Sequence, residues 1–154
     1  MREILFKAKR IDNGEWVEGY FTKAKWYLDE SEIFAILPTD LCIYPHFEFS
    51  EWIEIDENTI CQYTGLTDKN GNKIWENDVV KKHFYTDYNA CANSEEYMGA
   101  VKFKYCAWVI DTVRGIYLCT LPIFESMAYS EDVKHFEVIG NIFDNPELLE
   151  GGAE

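Results

Sequence analysis

The sequence predicts a mainly β protein, an antiparallel barrel or sandwich with one or two short helices. Three observations point there. Short apolar runs rich in aromatic and β-branched residues alternate with polar ones, Asn-Gly and similar pairs punctuate them, and strand patterns do not alternate with long helical ones.

The elements follow in order. Ile4, Phe6 and Ala8 alternate with Lys7 and Lys9, and Asn13-Gly14 then separates this run from Trp16, Val17, Tyr20 and Phe21. Asn-Gly between two such runs is a strong hairpin signal, because both residues accept positive φ. Glu32 to Leu37 reads as a third or edge strand stopped by Pro38. Phe47, Phe49, Trp52, Ile53 and Ile55 interleave with Glu48, Glu51 and Glu54, a strand with one acidic face and a bulge near Glu51. Asp68-Lys69-Asn70-Gly71 is a second turn, leading into Ile74-Trp75 and Asp78-Val79-Val80.

Between Tyr85 and Gly99 no period of two or 3.6 holds, so this stretch reads as a long loop. Strands return over Ala100 to Tyr105, Trp108 to Val113 and Ile116 to Leu121, with Arg114-Gly115 as a hairpin turn. Pro122 to Ala128 reads as a short helix and Phe136 to Phe143 as the last strand. Asn145-Pro146-Glu147 offers a cap, a helix-compatible Pro and an early acid. One domain is expected over 1–150, divisible into a β subdomain at 1–57 and a barrel part at 58–150, with a frayed tail at 151–154.

Composition narrows the function. The chain of 154 residues has 28 Asp+Glu against 14 Lys+Arg, a formal charge of −14. A basic nucleic-acid clamp is thereby excluded, since neutralising phosphates needs surplus Lys and Arg, and binding to an anionic membrane is disfavoured on the same ground. No Lys or Arg falls between Lys25 and Lys69, and none follows Lys134. The first tract carries Glu48, Glu51 and Glu54, a candidate acidic face for a basic partner. A solvated surface that discourages strand pairing is the simpler account of it.

The amino terminus has no apolar run of signal-peptide length and no segment is long enough for a membrane helix, so a cytoplasmic protein is expected. Cys42, Cys61, Cys91, Cys106 and Cys119 form no CxxC pair and read as free thiols. His46, His83 and His135 are too scattered for a metal set, and phosphate-loop, dinucleotide and hydrolase motifs are missing. No cofactor and no enzymatic activity are expected. The 25 aromatic residues, 5 Trp, 10 Tyr and 10 Phe, exceed what turns and loops need and suit a β core or a protein interface.

Gln62-Tyr63-Thr64-Gly65-Leu66, continuing through Asp68-Lys69-Asn70-Gly71, Ile74-Trp75-Glu76 and Asp78-Val79-Val80, closely resembles the YopX family of phages and prophages of Gram-positive bacteria. The opening Arg2 to Ala8 and the closing Val138 to Phe143 and Asn145 to Leu149 agree, so the resemblance spans nearly the whole chain. Cys61 and Asn77 depart from it, each standing where the family has Gly; Asn tolerates a left-handed backbone, so the second change preserves a turn. The resemblance implies an SH3-like barrel element, self-association and no catalytic residues to carry over.

Within the motif, Gly65 and Gly71 are expected to bracket a loop packed down by Tyr63, Ile74 and Trp75. Gln62, Tyr63, Thr64, Gly65, Trp75 and Asp78 are the candidate interaction residues, with turn and packing roles as the plainer reading. The leading functional expectation is a phage or prophage accessory protein of the host cytoplasm that acts by binding, most of all to itself, and also to a phage or host protein. Two alternatives stand beside it: an acidic nucleic-acid mimic that inhibits a host DNA-binding protein, and a small metal-dependent or Cys-dependent enzyme using Cys61, His83 or clustered carboxylates.

Overall fold

The computed structural model describes residues 3–25, 30–39, 52–84, 95–112, 115–117 and 136–150. Among them the chain is mainly β. The strands are β1 (Phe6–Lys9), β2 (Trp16–Lys25), β3 (Glu32–Pro38), β4 (Ile53–Glu54), β5 (Cys61–Thr67), β6 (Lys73–Trp75), β7 (Asp78–Phe84), β8 (Glu95–Lys104), β9 (Ala107–Thr112), β10 (Gly115–Tyr117) and β11 (Phe136–Asn141). The helical elements are a short 3-10 turn at Glu57–Thr59 and the single-turn α1 (Glu147–Glu150). Two compact units divide the chain, Met1–Tyr63 and Thr64–Glu154, and β5 is the strand in which one gives way to the other.

In the first unit the strands run β4-β3-β2-β1-β5, all antiparallel. The Asn13-Gly14 signal does what its chemistry predicts: Gly14 has φ +72 and its N–H donates to the Arg10 carbonyl at 3.0 Å. The register Phe6↔Gly19 and Lys9↔Trp16 follows. Strand alternation sends Phe6, Ala8, Val17, Phe21, Phe34 and Ile36 into one apolar cluster with Ile55 and Ile60. Phe21 links the cluster, 5.5 Å from the Phe6 ring and 6.3 Å from the Phe34 ring. Fully burying a side chain such as Ile36 or Ile55 contributes about 2 kcal/mol. Lys7 and Lys9 both place their ammonium groups over Trp16, at 5.0 and 5.5 Å. A polar pin ties the 3-10 turn to β1: Thr59 Oγ1 accepts from Lys9 N and donates to the Asp56 carbonyl, each at 2.8 Å.

In the second unit, β6 pairs with β5, and the five-stranded sheet runs β10-β9-β8-β7-β11, again antiparallel. Ile74, Val80, Val101, Trp108, Ile110 and Phe136 form its buried core, with Leu66 and Val138 packed against it. The described strands leave each sheet open, with two separate end strands.

Several sequence expectations need correction. The stretch read as loop from Tyr85 to Gly99 ends in strand: β8 begins at Glu95 and pairs with β7 from Phe84↔Glu95 to Val79↔Ala100. A backbone ladder needs no alternating side chains, so periodicity misses it. Tyr105 is not strand. With Cys106 it forms a two-residue turn joining β8 to β9, with φ of 54° and 61°. Pro38 closes β3 from within, opposite Gly19, where its missing N–H is tolerated at a strand end. Of the strand expected from Phe47 to Ile55, the described part is the two-residue β4, and β11 ends at Asn141, short of Phe143. The helix expected at Pro122 to Ala128 and the tail at 151–154 lie outside the described residues.

Gly140 explains the closing motif. A Cβ there would stand 2.5 Å from Asn145 Oδ1 and 2.9 Å from Leu148 Cδ1, so only Gly lets the chain fold back this closely. Asn141 then accepts the Phe143 and Asp144 N–H groups through its side-chain oxygen, both at 2.9 Å, which sets the turn into α1.

Candidate functional site

The central motif falls on both units, and each part is described in its own. In the first, Cys61 and Gln62 lie opposite Lys7 and Phe6, and Tyr63 donates its N–H to the Leu5 carbonyl at 2.9 Å. Gln62 and Tyr63 are half-buried. Cys61 is fully buried, with its thiol 3.3 Å from the Thr59 carbonyl, a packed position rather than an exposed nucleophile.

In the second unit the polar motif residues turn inward and hold backbone. Thr64 is 4% exposed; its hydroxyl donates to the Ile74 carbonyl at 2.7 Å and accepts from Leu66 N at 3.2 Å. Gly65 is exposed, with φ +87. Trp75 is buried, with the Lys73 ammonium 5.5 Å from its ring centre, and its backbone N–H donates to Asp78 Oδ2 at 2.8 Å. Asp78, 2% exposed, opens β7. Between them Asn77 has φ +68, the left-handed backbone its side chain tolerates. Asn77 donates its N–H to the Val101 carbonyl at 2.8 Å, accepts Ile142 N on its own carbonyl at 3.0 Å, and accepts the Lys102 ammonium on its side chain.

The residue that organises this region is Asp68, which the sequence marks only as the first residue of a turn. Its side chain is buried, and Oδ1 accepts Asn70 N and Asn72 N, both at 2.8 Å. Oδ2 accepts Asn72 Nδ2 and, across the fold, Val138 N of β11, both at 3.1 Å. Desolvation is the largest single influence on this carboxyl and pushes its pKa up. The donated hydrogen bonds from Val138, Asn72 and Asn70 outweigh it together, and the net shift is downward. Lys69 adds an N–H to the Phe136 carbonyl at 2.9 Å and an ion pair to Glu137 at 2.7 Å. The signal for Asp68 was legible in kind: Asp ahead of Asn-Gly favours a side chain folded onto the following N–H groups.

Other candidates are placed as follows. Glu54 is exposed on β4, while Glu48 and Glu51 lie outside the described residues, as do Cys42, Cys91, Cys119, His46 and His135. His83 is in β7 and Cys106 is exposed in the β8–β9 turn. Among the described residues no three His, Cys, Asp or Glu side chains are grouped as metal ligands would be, and no helix is long and apolar enough to cross a membrane. The first unit has an open groove of about 520 Å³ lined by Lys9, Arg10, Ile11, Phe34, Ile55 and Asp56 among others, which the sequence did not announce.

A family model described as YopX protein matches residues 6–150. The chain belongs to the YopX family. Among solved structures, the crystal structure of protein EF1440 from Enterococcus faecalis is similar over 97% of this chain and 99% of that one, at 23% identity and a TM-score of 0.50, a likeness of fold. No curated protein matches the chain. The YopX motif is therefore met here as a set of buried Thr and Asp side chains that fasten turns to strands.

Proposed function

We propose that this YopX-family chain is a phage or prophage accessory protein of the host cytoplasm that acts by binding, first of all to further copies of itself, and not by catalysis. The carrying observation is how the motif's polar side chains are used. Thr64, Asp68 and Asp78 each bond backbone groups inside the second unit, while large apolar side chains stand in solvent at the β8–β9 hairpin, Phe103 at 55% and Tyr105 at 75% exposed. Buried acceptors occupied by backbone are poorly placed for proton transfer. Exposed aromatics are favoured anchors of protein interfaces. We read the five-stranded sheet of the second unit as the SH3-like barrel element that the resemblance implies, supported by its uniform antiparallel pairing. No cofactor is needed for such a role, and the charge of −14 disfavours direct nucleic-acid binding.

Light scattering over a wide range of protein concentration tests this reading. The expected result is a mass of more than one chain that falls as salt rises, because charge separated along the sequence would contribute to association. A strict monomer at high concentration would overturn the self-association.

A further inference from the structure

The outer edge of β11 is closed by a loop that takes the place of a neighbouring strand. Among the described strands β11 is the last in the order β10-β9-β8-β7-β11, so one side of it carries backbone groups that β7 does not use. The Phe136 carbonyl takes the N–H of Lys69 at 2.9 Å, and Val138 N donates to the Asp68 carboxylate at 3.1 Å. One donor and one acceptor are what an added antiparallel strand would bring to these two residues. Lys69 also sets its ammonium 2.7 Å from the Glu137 carboxylate between them. The loop is a turn and no strand, since Asp68 is bonded back to Asn70 and Asn72, and the register shift beyond Val138 keeps the covered edge short.

The geometry points to a strand-addition site on the outer edge of β11, plugged by Asp68 and Lys69, whose ligand is an extended peptide segment carrying Lys or Arg opposite Glu137. This rests on the reading that the protein acts by binding, and it names a partner class. The plug states the chemistry it displaces: an N–H, an acceptor and a cation. A second copy offering its own β11 would set Glu137 against Glu137, and like charges directly opposite destabilise a strand pair. A basic segment repeats the Lys69 contact. Unprotected edges invite strand pairing, and peptide recognition by sheet extension uses such edges. While the plug is seated the site is only fractionally open, which lowers the apparent affinity by that fraction.

The test is an amide-resolved NMR titration with two short blocked peptides of alternating Val and Thr, one with a central Lys and one with a central Glu. The wild type is compared with Asp68→Ala and, should that variant fail to fold, with Asp68→Asn, whose amide oxygen still accepts the Asn70 and Asn72 N–H groups while its NH2 offers Val138 N no acceptor. The unplugged variants are expected to bind the Lys peptide about tenfold or more tightly than the wild type, shifting the Val138 amide, and to leave the Glu peptide unbound. Adding Val138→Pro, which removes the edge N–H, should abolish the binding. Equal binding of the two peptides, no binding by a folded unplugged variant, or shifts that spare Val138 would each overturn the proposal. So would a rise in particle mass of the unplugged variant without peptide, which would make a second copy the occupant. If the peptide fails while the wild type still self-associates, this site falls and the binding reading survives.

Discussion

The turn at 68–72 and the turn at Tyr105–Cys106 both require positive φ, and they meet that requirement in opposite ways. The first uses Gly71 at φ +87, in open space, with Asp68 collecting the loop's N–H groups. The second puts a Tyr and a Cys at φ 54 and 61, a backbone that Asn and Gly adopt with far less strain. Stability in the β8–β9 hairpin comes from its strands instead: Phe103 packs edge-on to Trp108 with ring centres 5.0 Å apart, and Lys104 pairs with Asp111 at 2.6 Å. One turn is held by its own chemistry and the other by what it connects.

Substitutions at the two turns test this contrast. The largest effect is expected at Asp68. Asp68→Ala leaves N–H groups of the loop and of Val138 without their acceptor and should lower unfolding stability by about 2–3 kcal/mol, read as a lower urea midpoint. A drop no larger than that of an exposed Asp would show that the loop holds without it. The pH dependence carries the same signature. Because the folded state holds the Asp68 pKa below its ordinary value, its contribution is complete above the ordinary carboxylate range and is lost as pH falls through the lowered folded value. The gap between wild type and Asp68→Asn should therefore narrow in acid and stay constant near neutrality.

Gly71→Ala follows, at about 1–2 kcal/mol, from backbone strain alone because nothing lies near the added methyl. At the other turn the sign reverses. Tyr105→Asn with Cys106→Gly should stabilise the protein by about 1 kcal/mol, seen as a higher Tm, and a lower Tm would mean that the Tyr105 side chain holds the hairpin. Smallest is Lys69→Ala, whose half-exposed ion pair with Glu137 should leave the thermal midpoint within error.

The same contrast explains what was readable in the sequence. Asn13-Gly14 and Asn70-Gly71 announced their turns because those residues have few other uses, and Asn77 was readable as a left-handed position for the same reason. Phe6 to Lys9 showed its alternation because Phe6 and Ala8 pack into one cluster, whereas Ile4, expected on the same face, is exposed and Leu5 is buried ahead of the strand. Nothing in Tyr105-Cys106 signals a turn, since the ladder between β8 and β9 imposes it from both sides. Glu95 to Gly99 lacks alternation yet is strand through its pairing with β7. At the candidate site, Thr64, Trp75 and Asp78 were singled out by their motif, but their inward orientation comes from tertiary packing. Asp68 was marked as a turn residue, whereas its bond to Val138 joins positions far apart in the chain and leaves no local trace.

Amide hydrogen exchange at Val138 tests directly whether Asp68 seals the β11 edge. In the wild type this amide should be protected, and in Asp68→Asn it should exchange faster by about tenfold or more, a larger factor than at Val101 in β8, which lies beyond β7 in the same sheet. A folded variant in which Val138 keeps its wild-type protection would contradict the account.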